Sequence, residues 1–300
     1  MKSFLTIIIS ISLFLSASIA TSQPINQTLN TNFSYPETIL PSDTTKLWLA
    51  EGDPTNQIVT IFLQGGPKDD LDFETRKKSS WRYLPEYDKY YAIHLHQSNT
   101  LNPAMFAYDC DFTMAMARKE VDNSSEILYR AIKHFKDLDK TVYVMGHSYG
   151  AFIIPHYLAT RPSIADKYFI ISGRIDDPKV VVKAHKKGFN GIYKNGVTFI
   201  SDEGAKDYSD YNGWALKYYI AKQRIKAAIG EISYSKALKN VDLSDVTYIY
   251  NPNDDRVGGL TESELEFLNS KSVSTFSVDW EHGYTIRGLV DLVKAGKIDL

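Results

Sequence analysis

Short runs of β-branched and aromatic residues recur along the chain at 46–50, 57–63, 90–97, 141–145, 167–172, 246–250 and 274–280, with helical stretches between them. Several of these runs, Val-Tyr-Val-Met at 142–145 and Tyr-Phe-Ile-Ile at 168–171 among them, are apolar on both alternating faces. A strand that is apolar on both faces belongs in a sheet covered on both sides, and strands that alternate with helices pair in parallel. The pattern predicts an α/β protein built on a mostly parallel, twisted sheet flanked by helices. The clearest helix covers 124–138, where Ile127, Leu128, Ala131, Ile132 and Phe135 share one face behind the capping candidates Asp122, Asn123 and Ser124.

The rhythm breaks in two places. Residues 21–45, rich in Ser, Thr, Asn, Gln and Pro, lack either period and read as an N-terminal arm. Residues 175–240, rich in Lys, Tyr and Gly, hold at most one weak strand near 197–200 and a helical stretch near 215–229. They read as a mainly helical cap inserted between two parts of one core, 46–174 and 241–300. Ahead of the arm, Met1-Lys2 leads into a nearly uncharged run, 4–20, that closes on Ser18-Ile19-Ala20. One cation, an apolar stretch and small residues make up the layout of a secretory signal cleaved near residue 20. The expectation is a secreted or periplasmic protein with no stable membrane partner after cleavage. The alternative is anchoring by the uncleaved segment, which sits at the short edge of spanning length.

Composition narrows the chemistry. With 43% apolar and 13% aromatic residues, 300 residues can bury one large core. Lys and Arg number 34 against 36 acidic residues, so the net charge of −2 offers no footprint for nucleic acid. A small molecule or short peptide is the expected partner. Cys110 is the sole cysteine, which excludes an intramolecular disulfide and any CxxC zinc pattern. His94 and His96 alternate on one strand, yet no third ligand stands at a defined spacing, so neither a metal nor a cofactor is expected. The lysines within 183–187 read as a solvated face. The aromatics Tyr208, Tyr211, Trp214, Tyr218 and Tyr219 read either as the lining of an apolar slot or as packing within the insertion.

Gly146-His147-Ser148-Tyr149-Gly150 lies between the 141–145 strand and a helical run at 151–159. A serine on so sharp a strand-to-helix turn needs small residues two positions away on either side, and the amide that follows it faces developing negative charge. In this setting the segment resembles the nucleophile elbow of the α/β-hydrolase superfamily. The resemblance implies that Ser148 is a nucleophile, with an acid after a later strand and a histidine after the last one. The turn Asn251-Pro252-Asn253-Asp254-Asp255-Arg256-Val257 is similar to the family's acid turn, with Asn251 where glycine is usual. It implies Asp254 as the acid and Asp255 as the fallback. His282, in Asp279-Trp280-Glu281-His282-Gly283-Tyr284, is the only histidine downstream of that turn and takes the place of the base.

Gln64-Gly65-Gly66-Pro67 is similar to the His-Gly-Gly-Pro-Gly loop of the proline iminopeptidase branch, with Gln64 for the histidine and Lys68 for the last glycine. It implies an oxyanion hole formed by the amides of Gly66 and Tyr149. That branch favours Gly and Trp around its serine, where this chain has His147 and Tyr149. The likeness spans about 46–295. The expected function is that of an exported serine hydrolase acting through an acyl-enzyme on a carboxylic ester or related acyl substrate. The alternatives are an aminopeptidase-like exopeptidase, with acids such as Glu203 or Asp207 holding a peptide amine, and a non-catalytic binding protein on the same scaffold.

Overall fold

Alternate residues of the central strands point into two separate apolar layers. The computed structural model describes residues 37–300 apart from 72, 75–79, 107–111 and 204–212. In chain order the strands are β1 (Trp48–Glu51), β2 (Ile58–Leu63), β3 (Tyr90–Leu95), β4 (Thr141–His147), β5 (Lys167–Ile171), β6 (Gly191–Lys194), β7 (Thr198–Ser201), β8 (Val246–Tyr250) and β9 (Ser274–Ser277). The helices are α1 (Ser98–Leu101), α2 (Met114–Lys136), α3 (Tyr149–Thr160), α4 (Lys179–Lys186), α5 (Gly213–Gly230), α6 (Tyr234–Ala237), α7 (Glu262–Ser270) and α8 (Thr285–Lys294).

Seven strands form one sheet in the order β1-β3-β2-β4-β5-β8-β9, in which β1 is antiparallel and every other pairing is parallel. Val59, Ile61, Val142, Val144 and Tyr168 face the layer built with α2 and α3, while Phe62, Tyr143, Met145, Phe169 and Ile249 face Trp81 and the apolar side of α8. Burying each such side chain contributes about 1.5–3 kcal/mol, which is why runs apolar on both faces settle in the middle of a covered sheet. After β2 the chain runs outward to β3 and then crosses back to β4, so the loops leaving the carboxyl ends of β2 and β4 diverge from neighbouring strands. A crevice at such a reversal of strand order is where open α/β sheets bind ligands.

Helix α2 begins at Met114 rather than near Ser124. Its buried stripe continues upstream through Ala117 and Val121, and the Thr113 hydroxyl caps it by accepting from Met116 N at 3.3 Å. Glu120 hides this continuation in the sequence, because a carboxylate stands on the core-facing side. It is fully buried and satisfied by the hydroxyls of Thr38, at 3.0 and 3.1 Å, and Ser98. Thr38 itself is buried, so this part of the expected N-terminal arm is bound to the core.

Between β5 and β8 the chain forms α4, the antiparallel pair β6–β7, α5 and α6. Two strands thus stand where one weak strand was expected. Asn195 and Gly196, both at positive φ (52° and 66°), turn the chain between them. Helix α5 packs along α2 and α4. Arg118 donates to both carboxylate oxygens of Glu231 at 2.9 and 3.1 Å, and Arg224 donates to the Phe112 carbonyl at 2.6 Å, fastening this segment to the α2 side. Residues 1–36, Cys110, Asp207, Tyr208, Tyr211 and the side chain of Trp214 lie outside the described residues. Among the described residues no helix is long and apolar enough to cross a membrane.

Candidate active site

Ser148 stands at the junction of β4 and α3 with φ 55° and ψ −122°, a conformation sparsely populated by residues with a side chain. The two glycines around it are required by contact. A methyl group at Gly146 would lie 2.4 Å from the Gly150 carbonyl oxygen, and one at Gly150 would lie 2.4 Å from the Leu63 carbonyl oxygen. The close approach of β4, α3 and β2 lifts the serine hydroxyl above the carboxyl edge of the sheet. The Ser148 amide donates to the Ile171 carbonyl at 3.0 Å, which ties the turn to β5.

Asp254 follows β8, two strands from the serine. Its turn is shaped by Asn251, whose carbonyl accepts from Asp254 N at 3.1 Å and whose Oδ1 accepts from Asn253 N at 2.8 Å. Asn251 Nδ2 reaches across to donate to the Trp280 carbonyl at 2.9 Å, linking this turn to the loop after β9. Asn251, at the position where the resemblance led to an expectation of glycine, therefore has a function in the fold: its side chain joins two loops. Asp254 Oδ1 accepts from the amides of Arg256, at 2.8 Å, and Val257, at 3.0 Å. Asp255 points elsewhere; it is exposed and lies 3.4 Å from Arg256 Nε.

His282 joins the two. Its Nδ1 lies 2.8 and 3.0 Å from the Asp254 carboxylate oxygens, and its Nε2 lies 2.9 Å from Ser148 Oγ. A carboxylate only accepts, so Nδ1 carries the proton and donates, leaving the Nε2 lone pair to accept from the hydroxyl. Burial alone would raise the Asp254 pKa. The hydrogen bond and charge of His282 and the two backbone amides outweigh it and hold the carboxyl below its ordinary range. Asp254 is 1% exposed and His282 partly covered, so the relay is shielded from solvent yet open at the serine.

The loop after β2 completes the rim. Gln64 Nε2 donates to the Asp70 carbonyl at 2.8 Å, Gln97 Nε2 to the Gln64 carbonyl at 2.8 Å, and Asn99 to the Lys68 carbonyl. Gln64 thereby closes its own loop. A methyl group on Gly65 would lie 3.1 Å from Ser148 Cβ, so backbone approaches the serine closely here, and one on Gly66 would lie 2.7 Å from Lys68 N, which glycine avoids.

Gly66, Ser148, Tyr149 and His282 open onto a cavity of about 310 Å³, the scale of a small-molecule site. Its opposite wall comes from the segment between β5 and β8 and from α5, with Asp177, His185, Tyr193 and Lys226 among its residues. Sequence reasoning missed Asp177 and Lys226. Burial, opposed by Arg174, pushes Asp177 up to about 6, and burial with the charge of Lys222 brings Lys226 down to about 8. His185 falls to about 3, chiefly by burial, and is neutral. Glu203 does not line the cavity; it pairs with Lys187 at 2.9 Å. His94 and His96 diverge, one to Glu51 and the other to Thr100, and among the described residues no group of three or more His, Cys, Asp or Glu is placed to hold a metal ion. The lysine-bearing helix α4 buries Val181 and Ala184 and turns Lys186 outward to Glu231 at 2.6 Å.

No protein-family model matches the chain, and no curated protein matches it in sequence. Solved structures do match in fold. A lipase-esterase related protein from Clostridium acetobutylicum is 14% identical at a TM-score of 0.50, with 83% of this chain and 99% of that one covered. Est1E from Butyrivibrio proteoclasticus with ferulic acid bound is 13% identical at a TM-score of 0.50, covering 83% of this chain and 93% of that one. At these identities the likeness speaks to the fold.

Proposed function

From the premise that the chain has the α/β-hydrolase fold, we propose that it is a serine hydrolase that works through an acyl-enzyme on a carboxylic ester or related acyl substrate. The observation that carries the reading is the unbroken relay Ser148 Oγ–His282 Nε2–His282 Nδ1–Asp254, with contacts of 2.9 and 2.8 Å, at the edge of a cavity of about 310 Å³. Ser148 Oγ attacks the acyl carbon while its proton passes to His282 Nε2. Asp254, held ionised, fixes the tautomer and stabilises the imidazolium. The carbonyl oxygen takes up negative charge against the amides of Gly66 and Tyr149, aided by the N-terminus of α3. The imidazolium then protonates the leaving alkoxide. Water, deprotonated by the same histidine, cleaves the acyl-serine and restores the hydroxyl.

An intact relay favours catalysis over a binding protein on the same scaffold, in which a broken relay would bear no cost. The segment 175–240 acts as a cap that walls the acyl pocket, and residues 1–20 direct export. Reaction with a fluorophosphonate probe tests the enzyme reading: the wild type is labelled and Ser148→Ala is not. Equal labelling of the variant would assign the reactive group elsewhere. Sequencing the N-terminus of the protein recovered outside the cytoplasm, expected to begin just after Ala20, tests export.

A further inference from the structure

The cavity wall opposite Ser148 carries two opposite charges, on Asp177 and Lys226, that make no ion pair with each other. No hydrogen bond or ion pair among the described residues reaches the Asp177 carboxylate. The carboxylate lies against Gly230 at the end of α5, where a methyl group would stand 2.4 Å from Oδ2. Lys226, one turn earlier on α5, has a single long contact of 3.4 Å, to Asn190 Oδ1, and so has donors to spare. Both charges persist at neutral pH, since burial stops short of neutralising either group. The third charged residue of the wall, Arg256, is exposed and drawn toward Asp255 at 3.4 Å. The neighbouring Arg174 is engaged by Glu264 in a buried pair at 2.8 Å.

A charge that lines a cavity without an ion-pair partner gains from a ligand that supplies one, even where the side chain is only part-buried. An acyl group with only an ammonium would satisfy Asp177 and be repelled by Lys226; one with only a carboxylate would do the reverse. A group that carries both satisfies both. Resting on the acyl-enzyme reading above, we propose that this cavity selects acyl groups whose far end is a zwitterion, with the amine against Asp177 and the carboxylate against Lys226.

Four methyl esters that share the four-carbon stretch from the ester carbonyl form a matched set: the γ-methyl ester of glutamic acid, methyl 4-aminobutyrate, monomethyl glutarate and methyl butyrate. They carry both charges, the cation alone, the anion alone and neither. Methanol release gives kcat/KM for each. The zwitterionic ester should lead, with each missing charge lowering kcat/KM by about tenfold or more, as expected where a site's buried polar groups are left unpaired. Asp177→Asn should shift preference toward monomethyl glutarate, and Lys226→Met toward methyl 4-aminobutyrate. Methyl butyrate as the best substrate, or an order unchanged in both variants, would overturn the proposal. Fluorophosphonate labelling of the same preparation separates the two levels: labelled enzyme with a flat ranking sinks the zwitterion alone, whereas unlabelled protein sinks the acyl-enzyme reading with it.

Discussion

His147 Nε2 donates to the backbone carbonyl of His282 at 2.8 Å, and the two imidazole rings lie 5.2 Å apart. The residue before the serine thus holds the loop that carries the base. One side chain ties the turn of the serine to the loop of the base, 135 positions away in sequence.

His147→Phe keeps a ring against His282 and deletes the hydrogen bond. Loss of about 1 kcal/mol of positioning predicts a fall in kcat of about fivefold to tenfold, with KM nearly unchanged. His147→Gln, whose amide can still donate, should recover part of the loss. Steady-state kinetics on one ester compare the three proteins; a change confined to KM would contradict a positioning role.

Asp254 and Asp255 are neighbours with different fates. Asp254→Asn removes the acceptor that sets the His282 tautomer and should lower kcat by about 10³–10⁴-fold. Asp255→Asn alters an exposed group and should stay within about twofold of wild type by the same kinetic measurement. Comparable losses in both variants would mean that the acid has been misassigned.

Gly150→Ala places a methyl group 2.4 Å from the Leu63 carbonyl oxygen, backbone that cannot step aside without moving β2. The expected destabilisation is about 3 kcal/mol or more. Urea unfolding measures it, and fluorophosphonate labelling should slow in the same variant because the serine shifts with its turn. A variant as stable as wild type would show that the elbow is looser than its contacts indicate.

Asp177 gives a pH signature. Its folded-state pKa of about 6 exceeds the unfolded value of 3.8. Between these the folded protein retains a proton that the unfolded chain releases, so stability falls as pH rises through the window and stays low above it. The charges around the carboxylate are Arg174, Lys226, Glu264 and Asp176. Asp177→Asn abolishes this slope: its melting temperature should match wild type near pH 4 and exceed it by several degrees, roughly 4–8 °C, at pH 7. A difference between the two proteins that does not change with pH would be evidence against the unpaired carboxylate.

Much of the site was legible because its demands are local. Gly146 and Gly150 are imposed by contacts of the turn itself, and the strand before it announces itself by being apolar on both faces. The order of Ser148, Asp254 and His282 follows from the order of strand ends. The turn's resemblance favours Asp254 and keeps Asp255 as the fallback; the turn in three dimensions separates the two by direction. The β6–β7 pair did leave a signal in Asn195-Gly196, masked by the lysines around it. The early start of α2 was hidden by Glu120, a core position occupied by a carboxylate that distant hydroxyls satisfy. Asp177 and Lys226 left none: they line one cavity only because α5 packs beside α3, and no spacing along the chain encodes that.

The amide of Ser148 is bonded to the carbonyl of Ile171 and the amide of Ser172 to that of Ile249, each at 3.0 Å, so a transverse tie runs from the serine strand to the acid strand. Warming that shears the sheet carries hydroxyl and carboxylate together. The imidazole hangs instead from a loop with open space around Gly283, and such loops open at lower free energy than core strands do. On the proposed serine-hydrolase reading, heat is expected to unlink the relay at its middle member first, so that turnover fades while the sheet still stands.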